Sequence, residues 1–153
     1  MPKKRKDWKM PDNKLLHATL VRLKNKGILL IGKSGSGKSD LALRLIENYG
    51  AELVADDVVV AEKKENAIYG HAAENLRGLL EVRGIGIISY PYIAETKIDM
   101  VVNPVDNTEK IARLPQVQKE SILGLEIKKI DLYAKESSAA AKIMAALRLY
   151  GEI

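Results

Sequence analysis

The strongest chemical signal in the chain is a run of eight residues. Gly32–Ser39 reads GKSGSGKS and fits the phosphate-binding pattern G-x-x-x-x-G-K-[ST]. Gly32, Gly35 and Gly37 let the backbone wrap closely around a phosphate and take positive φ. Successive amides of such a loop, with Lys33, Ser34 and Ser36 between the glycines, point inward as an anion nest. The N-terminus of a following helix reinforces it. Lys38 sets a mobile ammonium against β- and γ-phosphates, and Ser39 supplies a hydroxyl for Mg²⁺. A chain of this composition matches the pattern by chance on the order of once in two hundred cases, so the flanking residues decide. An apolar run enters the motif and an amphipathic one leaves it, which disfavours a mere flexible Ser/Gly turn.

Asp56 and Asp57 are the second anomaly. They interrupt the apolar run Leu53–Val60, where carboxylates are costly unless cations or donors meet them. Nucleotide-bound Mg²⁺ would compensate. Neighbours on a strand point to opposite faces, so the two are expected to differ in role, one toward the metal and one toward an incoming hydroxyl. The plainer alternative is a solvated pair at a turn. Glu81 and Arg83, two apart in LLEVRG, share a face of a strand beside Gly84 and Gly86. They read either as part of a site or as a surface ion pair. His17, between Leu16 and Ala18, reads by itself as a core or edge histidine. His71 reads as exposed in a loop, and Arg113 as an ordinary surface charge.

The elements that must hold these residues follow from pattern. Leu15–Leu23 is strand-like, Lys24–Gly27 signals a hairpin turn, and Gly27–Ile31 is an all-apolar strand. A helix is expected from Lys38 to Tyr49, with Leu41, Leu45 and Ile46 on its core face and Gly50 ending it. Glu52–Val60 reads as one buried strand, and Ala67–His71 as a segment pairing back across the Lys63–Asn66 turn. Glu74–Leu79 reads as a short helix or turn. Leu80–Val82, Ile85–Tyr90, Ile98–Val102 and Leu125–Tyr133 read as strands, the last with a bulge at Lys128–Lys129. Ile111–Gln118 is mixed. Ser137 or Ser138 caps a final helix through Leu149. No repeat or linker divides the chain, so the expectation is one α/β domain.

Composition excludes several alternatives. The chain has 153 residues and no cysteine, so thiol catalysis and Cys-based zinc sites are out. Two histidines cannot build a multi-His cage. The net charge of +5 invites a nucleic-acid reading. Residues 1–14 carry six Lys/Arg and two Asp, however, which leaves only +1 for 15–153. Aromatics at 5% also argue against base stacking. The basic residues 1–13 read as a flexible tail, and 14–153 as the catalytic domain. The longest uncharged run, Gly84–Ala94, is too short to span a bilayer. A cytoplasmic protein without membrane or nucleic-acid partner is expected.

In this order the motifs resemble the C-terminal catalytic domain of HPr kinase/phosphorylase. His17 stands fifteen residues before Gly32, GKSGSGKSD follows, then LVADD (Leu53–Asp57), then LLEVRGIGII (Leu79–Ile88), like the signature segment of that family. The short length is similar to truncated proteobacterial forms. The resemblance implies a nucleotide-binding α/β fold like that of phosphoenolpyruvate carboxykinase, with a mixed sheet. It implies ATP- and Mg²⁺-dependent phosphorylation of a serine on the phosphocarrier HPr or a paralogue, and a homo-oligomer. It assigns Gly32–Ser39 to ATP, Lys38, His17, Asp57 and Arg113 to catalysis, with Asp57 as the base, and Ser39 and Glu81 to the metal, which leaves Asp56 as the aspartate expected toward the metal. Ser89–Lys97 is shorter than the corresponding family loop and has no glycine. The segment linked to dephosphorylation has no counterpart in Leu125–Lys135. The kinase direction is therefore expected before the phosphorylase direction. The residues themselves leave open a P-loop kinase for a small molecule and a non-catalytic nucleotide-binding regulator.

Overall fold

A computed structural model describes residues 12–153, so the basic run at 2–6 and most of the expected tail lie outside the described residues. The order is β1 (Asn13–Leu23), β2 (Lys26–Ile31), α1 (Lys38–Tyr49), β3 (Glu52–Ala55), β4 (Val58–Lys64), β5 (Ala67–Ala72), β6 (Leu79–Val82), β7 (Gly86–Ser89), β8 (Thr96–Val105), β9 (Gln118–Ile122), β10 (Leu125–Tyr133) and α2 (Ala139–Leu149). Asn13 already pairs with Glu62, so β1 includes the last residue of the expected tail.

Eight strands form one mixed sheet, and β6 and β7 form a separate hairpin. Two long strands fold the large sheet over. The first half of β1 pairs with β4 and its second half with β2 and β3. β8 starts beside β5 and continues between β2 and β10, parallel to both. The two leaves enclose one apolar cluster that includes Leu20, Leu29, Val59, Ile68 and Val101. The other face of β1, β2 and β8 packs on the helices through Val21, Ile28, Leu30, Met100 and Val102, against Leu41, Leu45, Ile143 and Leu147. Neighbouring residues of β2 thus enter different cores, which is why GILLI lacks any polar alternation.

Tight turns fix the registers. Lys24 and Asn25 stand at φ 53° and 63° between Leu23 and Lys26, the positive pair that matches hairpin twist. Leu123 (φ 50°) and Gly124 (φ 82°) do the same for β9 and β10, a hairpin whose first strand starts at the end of the mixed segment Ile111–Gln118. Gly50 ends α1 at φ 73°, as expected. Ser138 occupies the N-cap of α2, but its side chain makes no capping hydrogen bond.

Two expectations are corrected. β10 has no bulge: its register against β8 and β9 is unbroken. The apolar phase shifts because Ile127 faces the core between the leaves, whereas Ile130 and Leu132 face the helices. Glu52–Val60 is not one strand either. It breaks at Asp56–Asp57, and the chain passes there from β3 to β4, which pair with different stretches of β1.

The start of β2 is tightly enclosed. A Cβ on Gly27 would lie 1.9 Å from the Lys97 carbonyl oxygen. Gly27→Ala is therefore expected to cost about 3 kcal/mol, the upper range for overpacking, measured by chemical denaturation. The Gly27 amide donates to Asp99 Oδ2 at 2.9 Å. Burial raises the Asp99 pKa, against the Gly27 hydrogen bond and the charges of Lys26 and Lys97. Between the ordinary carboxylate pKa and this raised value the folded chain holds a proton that the unfolded chain releases. Stability contributed at Asp99 therefore falls as pH rises through that window. Asp99→Asn keeps an acceptor for Gly27 without the charge. It is expected to match or exceed the parent in stability at pH 7 and to lose that advantage toward pH 4. Denaturant midpoints across pH check this.

Candidate active site

β2, β8 and β10 run parallel and end at one edge of the sheet, the position where open α/β sheets bind ligands. Gly32–Gly37 connects β2 to α1 there. Gly32, Gly35 and Gly37 stand at φ 121°, 84° and 98°, so glycine is required at all three. Pro104, from the end of β8, and Ala134, beyond β10, back the loop at Gly32 and Gly37. Arg44 of α1 donates to the carbonyls of Ala134 and Glu136, which ties the helix to the β10–α2 connection.

Lys38 is buried, and its Nζ donates to the carbonyls of Gly32 at 2.5 Å and Lys33 at 2.9 Å. An ammonium has three donors, so among the described residues one stays free for a ligand. Burial pushes the Lys38 pKa down, and the nearby charges of Asp57 and Asp56 oppose this.

Asp56 is the hub of the site. It is buried, yet both oxygens of its carboxylate accept hydrogen bonds. Oδ1 accepts from Ser39 Oγ at 2.7 Å and from Thr19 Oγ1 at 2.8 Å. Oδ2 accepts from the Glu81 amide at 3.1 Å. Three distant pieces of chain, β1, the head of α1 and β6, meet at one side chain. The break at Asp56–Asp57 is a turn, as in the plainer sequence reading, but Asp56 is not solvated.

Asp57 differs from Asp56 through the backbone rather than through strand alternation. Its φ is 69°, and the Val58 amide donates to the Asp56 carbonyl at 2.8 Å. An i→i+2 bond around a residue at positive φ is a γ-turn, strained for an L-residue. The turn leaves Asp57 exposed while Asp56 points inward.

His17 lies on β1 opposite Val58, next to this turn. It is exposed and two residues from Thr19, on the same face of the strand. Glu81 is exposed, and its link to Asp56 runs through its amide, not its side chain. Arg113 is exposed between Lys110 and β9, with no hydrogen bond or ion pair joining it to the cluster among the described residues. His71 is corrected: it sits within β5, half-buried, with Nε2 2.7 Å from Glu62 Oε1. Thr19 went unnoticed in the sequence. Its signal was a polar residue two positions from His17 inside an apolar strand.

The residues fit a phosphate ligand. Ser36 spends its amide on the Lys33 carbonyl at 3.1 Å, while the amides of Gly35, Gly37, Lys38 and Ser39 take no backbone acceptor among the described residues. Ser36 Oγ is buried without a partner among them. They also fit Mg²⁺. No group of three or more acidic, His or Cys side chains gathers among the described residues, but Mg²⁺ binds through one or two protein groups plus phosphate oxygens. Ser39 and Asp56 are such a set.

A model of the HPr Serine kinase C-terminal domain family matches residues 9–149. The chain belongs to this family. The HPr kinase/phosphorylase of Bordetella avium is 36% identical over 152 residues, covering 92% of this chain and 49% of its own length. That of Lactobacillus acidophilus is 38% identical over 131 residues, covering 78% and 40%. That of Malacoplasma penetrans is 34% identical over 130 residues, covering 78% and 43%. The chain thus spans less than half the length of these curated relatives. A solved structure described as the Hpr(Ser) kinase/phosphatase from Coxiella burnetii superposes with a TM-score of 0.78 at 26% identity, over 90% of this chain and 95% of that one. The mixed α/β fold of the family is therefore the fold of this chain. No helix of the described residues is long and apolar enough to cross a membrane.

Proposed function

We propose that this domain transfers the γ-phosphoryl group of ATP to a serine of the phosphocarrier HPr or a paralogue, in the cytoplasm. One observation carries the reading: Ser39 of the phosphate loop is hydrogen-bonded to buried Asp56, and the next residue, Asp57, is exposed beside the Lys38 charge. In this reading residues 14–153 form the catalytic domain, with a nucleotide site like that of phosphoenolpyruvate carboxykinase, and it works in a homo-oligomer. The family assignment and the Bordetella, Lactobacillus and Coxiella similarities support the substrate class.

The loop amides and Lys38 hold the triphosphate and neutralise its charge. Ser39 and Asp56, joined by Glu81, are the groups for Mg²⁺, which when bound neutralises phosphate charge. Asp57 accepts the proton of the serine hydroxyl as the serine oxygen bonds to the γ-phosphorus and the bond to the ADP oxygen breaks. His17, on β1 opposite Val58 at the edge of the same turn, is assigned to the catalytic set with Asp57. Arg113, exposed before β9, is assigned to the charge of the transferring group. In a phosphorylase direction the same groups would serve: an attacking inorganic phosphate would take the phosphoryl group as its bond to the serine oxygen breaks, and Asp57 would return the proton to that oxygen.

The test is direct. The purified protein is incubated with ATP, Mg²⁺ and HPr-like carriers, and phosphoserine is mapped by mass spectrometry. Carrier phosphorylation on a serine is the expected result. ATP binding without transfer to any carrier would favour a regulator, and transfer to a small molecule instead would favour a metabolite kinase.

A further inference from the structure

Thr19 is fully buried in β1. A hydroxyl in an apolar strand is costly to desolvate unless a partner accepts its proton. Here that partner is Asp56 Oδ1, at 2.8 Å. An ionised carboxylate offers about four acceptor positions. Thr19 and Ser39 take those of Oδ1, and the Glu81 amide takes one on Oδ2. A single position on Oδ2 is left. Donors on both oxygens fix the rotation of the carboxylate plane. They also fix the direction of the Ser39 proton, which leaves the Ser39 lone pairs available.

We propose that Thr19 is a positioning residue for a divalent cation: its hydroxyl locks Asp56, so that Ser39 Oγ and the remaining lone pair of Asp56 Oδ2 are presented together. The inference rests on the nucleotide-and-metal reading above. Valine has the shape of threonine and suits a strand. With valine at this position β1 would keep its packing, while Asp56 would keep only one donor on Oδ1 and turn more freely.

The test measures Mn²⁺ affinity by electron paramagnetic resonance in the presence of ADP, and ADP affinity without metal by calorimetry. The full chain is used with Thr19→Val and Thr19→Ser, each checked for cooperative thermal unfolding. Thr19→Val is expected to weaken Mn²⁺ binding by about tenfold or more, the weight of a hydrogen bond to a charged group. Its metal-free ADP affinity should stay within about twofold of the parent, and Thr19→Ser should restore Mn²⁺ binding. Unchanged Mn²⁺ affinity in Thr19→Val, an equal loss of metal-free ADP affinity, or no restoration by serine would each overturn the role of Thr19. A parent chain that binds no ADP with or without metal would instead overturn the nucleotide reading, and this inference with it.

Discussion

Asp57→Asn is expected to lower the rate of phosphoryl transfer to a carrier serine by about a thousandfold, within the range for losing a general base. ADP and ATP affinities should change little. Asparagine is the informative replacement because of the backbone. Asp57 stands at φ 69° in a γ-turn, and Asn, like Asp, tolerates positive φ far better than other residues with a Cβ. The turn should persist, with Asp56 still directed inward and Lys38 still anchored to the loop carbonyls. Only the proton acceptor is lost. Asp57→Ala would mix that loss with backbone strain. Single-turnover transfer assays beside calorimetric nucleotide binding separate the two effects. Full activity in Asp57→Asn would refute the base assignment.

Asp56→Ala should act differently, on stability and on nucleotide·metal binding together. The truncation leaves the buried Thr19 hydroxyl and the Glu81 amide without their acceptor, and Ser39 without its anchor. Orphaned buried donors of a charged hub cost about 3 kcal/mol. A lower denaturant midpoint should accompany loss of Mg²⁺-dependent ADP binding. Asp56→Asn keeps the volume and one acceptor oxygen, but turns a donor toward the Glu81 amide or toward the two hydroxyls. It should fold better than the alanine variant and still bind metal poorly. Parent-like stability in Asp56→Ala would show that the hub does not hold β1, α1 and β6 together.

The phosphate loop was legible because its chemistry is local. Glycine spacing, Lys38, Ser39, an entering apolar strand and a leaving amphipathic helix are all contiguous, and the structure forms each of them where the pattern put it. The hairpin at Lys24–Asn25 and the Gly50 stop were legible for the same reason, since positive φ is a property of single residues. Glu52–Val60 reads as one strand in the sequence because its apolar residues are buried on both sides of the break, in two leaves of one sheet. Local pattern records burial, not which neighbour does the burying, and the same blindness suggested a bulge in β10.

Residue types and spacing alone determined that Gly32–Ser39 would form a glycine-rich loop between a strand and a helix, and that Asp56 and Asp57 would not share an environment. The tertiary structure alone decided how they differ. A strained turn between two leaves sends Asp56 inward and Asp57 outward. It also decided that Thr19, Ser39 and the Glu81 amide converge on one carboxylate. These groups are separated by 37, 17 and 25 residues from Asp56. Only tertiary packing brings such separations within hydrogen-bond range: β1 pairs with β3 and β4 on either side of Asp56, and α1 packs against β1 and against β6 of the separate hairpin.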